Sequence, residues 1–192
     1  MNAKGLGAAL TVAVALPAVG EGLELKGFKP GMSADDAKAL MGPLATRCSK
    51  SKESIFTSCY YATKYSGRLY PQVELLESLA NRRPISWLFQ IDENQLASAT
   101  VHLPTRDHEH IVKALTEKYG APKSATKSTV QNRAGASFEQ METDWYLGGD
   151  LLRVRQRAGQ IDEMSVMVVS TRSMERFQQE SAEHAKKASK DL

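Results

Sequence analysis

Two stretches of the chain alternate apolar and polar residues at a period of two, and each does so on both sides of a turn. In ISWLFQIDENQLASATVHL, Ile85, Trp87 and Phe89 share one side of an extended strand, and Ala97, Ala99, Val101 and Leu103 share one side of the next. Placing both sets on one face requires an odd loop, so a three-residue Asp92-Glu93-Asn94 turn with Asn94 left-handed is predicted. DLLRVRQRAGQIDEMSVMVV behaves alike: an Arg157-Ala158-Gly159 loop, with Gly159 left-handed, aligns Leu152 and Val154 with Met164, Val166 and Val168. Before this hairpin, Met141, Thr143, Trp145 and Leu147 alternate up to a Gly148-Gly149 turn. Before the first hairpin, PQVELLESLANRRP is ambiguous. Pro71 at a first helical position argues helix, whereas the parallel with the second half argues a strand from Leu75 to Ala80 turning at Asn81 to Pro84; the strand is preferred.

Helical spacing appears in three places. In FKPGMSADDAKALMG, Pro30-Gly31 suits the middle of a type II turn and Ser33 stands at an N-cap, accepting from the amide of Asp36. Asp35 and Asp36 complement the positive helix end, Ala37, Leu40 and Met41 form the apolar stripe, and Gly42-Pro43 ends it. In TRDHEHIVKALTEKYGAP, Thr105 or Asp107 is the cap, Ile111, Val112, Leu115 and Tyr119 the stripe, and Gly120-Ala121-Pro122 the stop. After Ser170 comes a polar helix anchored by Met174 and Phe177. Each half therefore reads as helix, then a loop or extra hairpin, then a three-stranded meander. The fold class is α+β, two tandem helix-plus-antiparallel-meander repeats, over 21–104 and 105–170, with a tail at 171–192.

Residues 1–20 differ from the rest. One lysine precedes an apolar stretch from Leu6 to Val19 and small residues before Glu21, the outline of a secretory signal peptide. The stretch is shorter than the about 20 apolar residues of a spanning helix, so no stable membrane insertion is expected after its removal. Export predicts oxidised thiols, and Cys48 and Cys59 read as one structural disulfide. The protein is expected in the periplasm or secreted.

Lysines and arginines are interleaved with 22 acids for a net charge of +3, which argues against a nucleic-acid partner. His108-Glu109-His110 near His102 suggests a metal-dependent hydrolase. On a helix, however, residues two apart diverge by about 200°, so His108 and His110 cannot easily share an ion, and no metal or other cofactor is expected. Asp35 and Asp36, as neighbours about 100° apart, do not make an acid/base pair. No nucleophile elbow, phosphate loop or dinucleotide fingerprint is present, and the chain reads as non-enzymatic.

Two surface features remain. Arg153, Arg155 and Arg157 alternate along one strand as a basic stripe, with Glu163 expected opposite Arg153, and this stripe is the basis of an anion- or small-ligand-binding alternative. Tyr60, Tyr61, Tyr65 and Tyr70 gather beside Arg68, residue types enriched at protein interfaces.

The Gly31-Met32-Ser33 to Leu40-Met41-Gly42-Pro43 pattern resembles the helix-entry motif of small Gram-negative envelope proteins of the BamE (SmpA/OmlA) type. The tandem plan resembles β-lactamase inhibitor protein and its relatives. The Lys118-Tyr119-Gly120-Ala121-Pro122 helix end, Val130-Gln131-Asn132 and Trp145 look like features of uncharacterised proteobacterial periplasmic proteins. The lipid-attachment cysteine of the BamE type is absent, so the resemblance implies no outer-membrane anchor. It implies a protein-binding envelope module, a scaffold, inhibitor or immunity-type binder of another envelope or secreted protein. Tyr61, Tyr65, Arg68 and Tyr70, with the three arginines, are the expected binding residues.

Overall fold

A computed structural model describes residues 22–42, 48–50, 54–62, 64–65, 68–69, 79–82 and 84–188. Residues 1–20, read above as a signal peptide, Tyr70 and the 71–78 stretch lie outside the described residues. In chain order the elements are α1 (Ala34–Met41), β1 (Cys48–Lys50), β2 (Thr57–Ala62), β3 (Lys64–Tyr65), β4 (Arg68–Leu69), β5 (Ser86–Asp92) and β6 (Gln95–Pro104). There follow α2 (His108–Tyr119), β7 (Ser124–Gln131), β8 (Ser137–Leu147), β9 (Asp150–Arg155), β10 (Glu163–Ser170) and α3 (Thr171–Ala188).

Eight strands form one antiparallel sheet in the order β1-β2-β5-β6-β10-β9-β8-β7, with β3 and β4 as a separate pair. The expected second meander is present as β8-β9-β10, with β7 added outside β8, but the strands of both halves form one sheet and not two separate ribbons. Each half contributes four strands, and the halves join edge to edge where β6 pairs with β10. Joining removes two edges that separate ribbons would leave unpaired.

Period-two alternation gives the sheet one apolar face. Cys59, Tyr61, Trp87, Phe89, Ala99, Val101, Val166, Val168, Leu152, Val154 and Trp145 are buried there, against Phe28 and against Ala37 and Met41 of α1 and Ile111 and Leu115 of α2. Phe28 packs on Phe89 with ring centres 4.5 Å apart, which seats the strap before α1 on the sheet.

The start of α1 forms as its sequence dictates. Met32 N–H donates to Lys29 O across the Pro30-Gly31 turn, Gly31 has φ +80°, and Asp36 N–H donates to Ser33 Oγ at 3.1 Å. Gly42, with φ +57°, caps the end. The start of α2 differs: Thr105–Asp107 is a 3-10 turn and neither Thr105 nor Asp107 caps. The Thr105 hydroxyl is instead shared between Gln156 O and Ile161 O, and Asp107 pairs with Arg82 at 3.6 Å.

Both hairpins align the predicted residues, by other means than the predicted loops. Trp87 pairs with Val101 and Phe89 with Ala99, yet the first loop has two residues, Glu93 and Asn94, both left-handed. A bulge between Gln90 and Ile91 supplies the odd residue. In the second, Val154 pairs with Val166 and Leu152 with Val168, while β9 and β10 are separated by 156–162, longer than the three residues expected.

Cys48 and Cys59 are joined by a disulfide across β1 and β2, where they are direct register partners. Among the described residues no helix is long and apolar enough to cross a membrane.

Candidate functional site

α1 and α2 pack on one face of the sheet. On the opposite face α3 is the one helix among the described residues, over one end of it. Ser170 Oγ caps α3 by accepting from Ser173 N–H at 3.1 Å. Phe177 stacks on Phe56 at 4.1 Å, and Arg176 bonds Asp92 at 2.6 Å and Glu93 at 2.8 Å. Beyond α3, no element among the described residues covers this second face.

One row of side chains crosses the open part in register. Tyr60 pairs with Leu88, Leu88 with Thr100, Thr100 with Met167, Met167 with Arg153 and Arg153 with Asp144, from β2 through β8. Tyr60 is 52 % exposed, and Leu88, Thr100, Met167 and Arg153 are half-buried. Tyr146, at 53 %, stands two residues from Asp144 on the same face. Apolar groups thus occupy the middle of the row, with an aromatic and a charged pair at its ends.

The arginine stripe lies on this face, and two of its three charges are paired with acids. Arg153 Nε and Nη2 donate to both Asp144 oxygens at 2.8 Å, and Arg153 Nη1 lies 3.1 Å from Glu142. These Asp144 bonds raise the Arg153 pKa further above its ordinary value. Arg155 Nη2 lies 2.8 Å from Glu142. Arg157 donates to the carbonyls of Glu139 and Ile161, and its guanidinium lies over the Phe138 ring. The partners are on β8 and the loop, and Arg153 faces Met167 on β10; the expected Glu163–Arg153 pair does not form. Pairing with Glu142 and Asp144 offsets the field of Arg153 and Arg155 and leaves the charge of Arg157 on the stripe.

The tyrosine cluster divides. Tyr61 is 4 % exposed and belongs to the core, because its register partner is Trp87 on the helix-covered face. Its ring is not available to a partner, which corrects the sequence expectation; Tyr60, one residue away, takes the outward position. Tyr65 and Arg68 are backbone partners in the β3–β4 pair. The sequence contained a signal for this division: Cys59 and Tyr61 form the more apolar alternate set, against Ser58 and Tyr60. It also marked Leu88 and Met167, apolar residues at outward positions between Trp87 and Phe89 and between Val166 and Val168.

The histidines occupy separate environments. His102 lies on β6 on the open face, opposite Ser86 and Ser165. His108 is buried at the start of α2, and His110 Nε2 is 2.8 Å from Ala80 O. Burial lowers the pKa of His102 and of His108, with Glu163 and Glu109 respectively opposing. Among the described residues no three of His, Cys, Asp or Glu converge to hold a metal ion.

A cleft of about 320 Å³ lies between α2 and the strap before α1, floored by Leu25, Ile111 and Leu115 and rimmed by Glu24 and Lys118, which pair at 3.1 Å. Its lining among the described residues is mainly aliphatic, with Lys26 and Tyr119 beside the Glu24–Lys118 pair and without histidine, serine or cysteine.

The chain matches no protein-family model, no curated protein and no solved structure.

Proposed function

We propose that this protein is an exported binding module that engages another protein with the open face of its sheet, and that it performs no catalysis. The observation that carries this reading is the row Tyr60–Leu88–Thr100–Met167–Arg153, in register across five strands with no helix among the described residues over it. An apolar centre with aromatic and charge-paired ends has the composition of a protein interface. Pairing of Arg153 and Arg155 with Asp144 and Glu142 favours a protein partner over an anionic polymer. The disulfide supports an oxidising compartment, hence the periplasm or the exterior. The order of elements supports two like halves: each is a helix followed by four sheet strands, meeting at β6 and β10. The resemblance to BamE-type and β-lactamase-inhibitor-like modules supports the same role by analogy.

The test places a photo-crosslinking residue at Thr100 on the open face and, as control, at Lys113 on α2. Crosslinking in an envelope extract from the Thr100 site alone is expected. The captured protein, once purified, should bind Tyr60→Ala/Met167→Asp at least about tenfold more weakly than wild type. Equal capture through Lys113, or unchanged affinity of the double variant, would move the site off this face.

A further inference from the structure

β7 is the outer strand of the sheet, and among the described residues no strand borders it on its far side. It pairs with β8 without interruption from Ser124 opposite Asp144 to Gln131 opposite Ser137, and every residue but Val130 is exposed. The phase of its hydrogen bonds follows from two neighbouring contacts. Asn132 N–H donates to Ala136 O at 3.0 Å, continuing the ladder, and on the other side of β8 Gln156 N–H donates to Met141 O at 2.9 Å. Even-numbered residues of β8 therefore bond β7, and odd-numbered ones bond β9. In β7 the even residues bond inward, and Ala125, Lys127, Thr129 and Gln131 direct their amide and carbonyl groups outward.

Exposed edges of this length are ordinarily guarded by proline, a bulge or inward-pointing charge. β7 has no proline and no register shift. Its one charge, Lys127, is held by Glu139 at 3.0 Å. The opposite edge is managed differently: β1 has only three residues and is clipped to β2 by the disulfide.

We propose that β7 pairs antiparallel with β7 of a second copy of this chain, extending the sheet across a two-fold axis at Ser128. In that register Ala125 faces the second copy's Gln131 and Lys127 faces its Thr129, so all four outward residues bond. The two lysines are offset rather than opposed, which a register centred on Lys127 would not allow. On the other face Thr126 meets Val130 and the two Ser128 hydroxyls meet on the axis. The strand is self-complementary in size and hydrogen bonding, and this register keeps its lysines from standing directly opposite each other.

Sedimentation of the purified chain from micromolar to millimolar concentration tests this. A reversible dimer is expected for wild type and a monomer for Thr129→Pro, which removes an outward N–H and leaves the β8 ladder intact. Far-UV circular dichroism checks that this variant is folded. The register is tested by two double variants on positions whose own β8 neighbours are neutral. Ala125→Lys/Gln131→Lys sets like charges opposite each other twice, and Ala125→Lys/Gln131→Glu sets opposite charges there, so the second should dimerise about tenfold more tightly than the first. A monomeric wild type, a dimer indifferent to Thr129→Pro, or equal affinities of the two double variants would overturn the proposal.

Discussion

Arg153 grips Asp144 across β9 and β8 through two bonds of 2.8 Å, although only Asp144 is nearly enclosed, at 5 % exposure. The two ends of this pair are therefore unequal. Arg153→Met leaves a buried carboxylate without its main partner and should destabilise the protein by about 3 kcal/mol. Adding Asp144→Asn removes the stranded charge and should recover most of that loss. Urea unfolding of the two variants and wild type measures both; a near-neutral Arg153→Met would show that water, not Arg153, solvates Asp144.

The disulfide fixes an edge that is too short to hold itself. β1 has three residues, and Cys48 opposite Cys59 closes a loop whose constraint on the unfolded chain amounts to about 3 kcal/mol. Cys48→Ser/Cys59→Ser should lower stability by about that amount in equilibrium unfolding. The loss should be insensitive to dithiothreitol, whereas wild type should fall to the same level once reduced.

α3 is held on the sheet by the ion pairs of Arg172 and Arg176 with Glu93 and Asp92 and by the Phe177–Phe56 stack. Phe177→Ala should free this helix without unfolding the sheet behind it. Hydrogen exchange should then quicken over 171–188 and stay slow in β9 and β10. Uniform quickening would mean that α3 is part of the cooperative core.

How far the sequence foretold these features follows from how local each one is. The α1 cap was legible because Ser33 and Asp36 satisfy it within one turn. The facing residues of both hairpins were legible because parity along a strand is a property of spacing alone. The loops were not, since the bulge at Gln90/Ile91 and a two-residue turn give the same parity as a three-residue turn. β7 escaped because SATKSTVQ is solvated on both sides and has no apolar alternation to read. The Arg153–Asp144 pair escaped because it depends on β8 neighbouring β9, a fact of topology. Tyr61 was misassigned to the surface because adjacent tyrosines differ only in parity, and the Trp87 partnership decides it.

His108 makes stability depend on pH. Its ring is buried at the start of α2 beside Asp107, which is paired with Arg82, and burial holds its pKa below the ordinary value of 6.5 despite the opposing Glu109. The unfolded chain therefore binds a proton more readily than the folded one as pH falls below 6.5. Stability rises with pH wherever the unfolded state carries more protons, so it should be level above this value and decline below it. His102, also lowered by burial, contributes in the same direction. Thermal unfolding between about pH 5 and pH 8, above the ordinary carboxylate range, reads mainly the histidines, with Asp150, whose pKa burial raises, acting in the opposite direction. His108→Gln should flatten part of the decline and His102→Gln a further part. A decline that survives both substitutions would place the titrating group elsewhere.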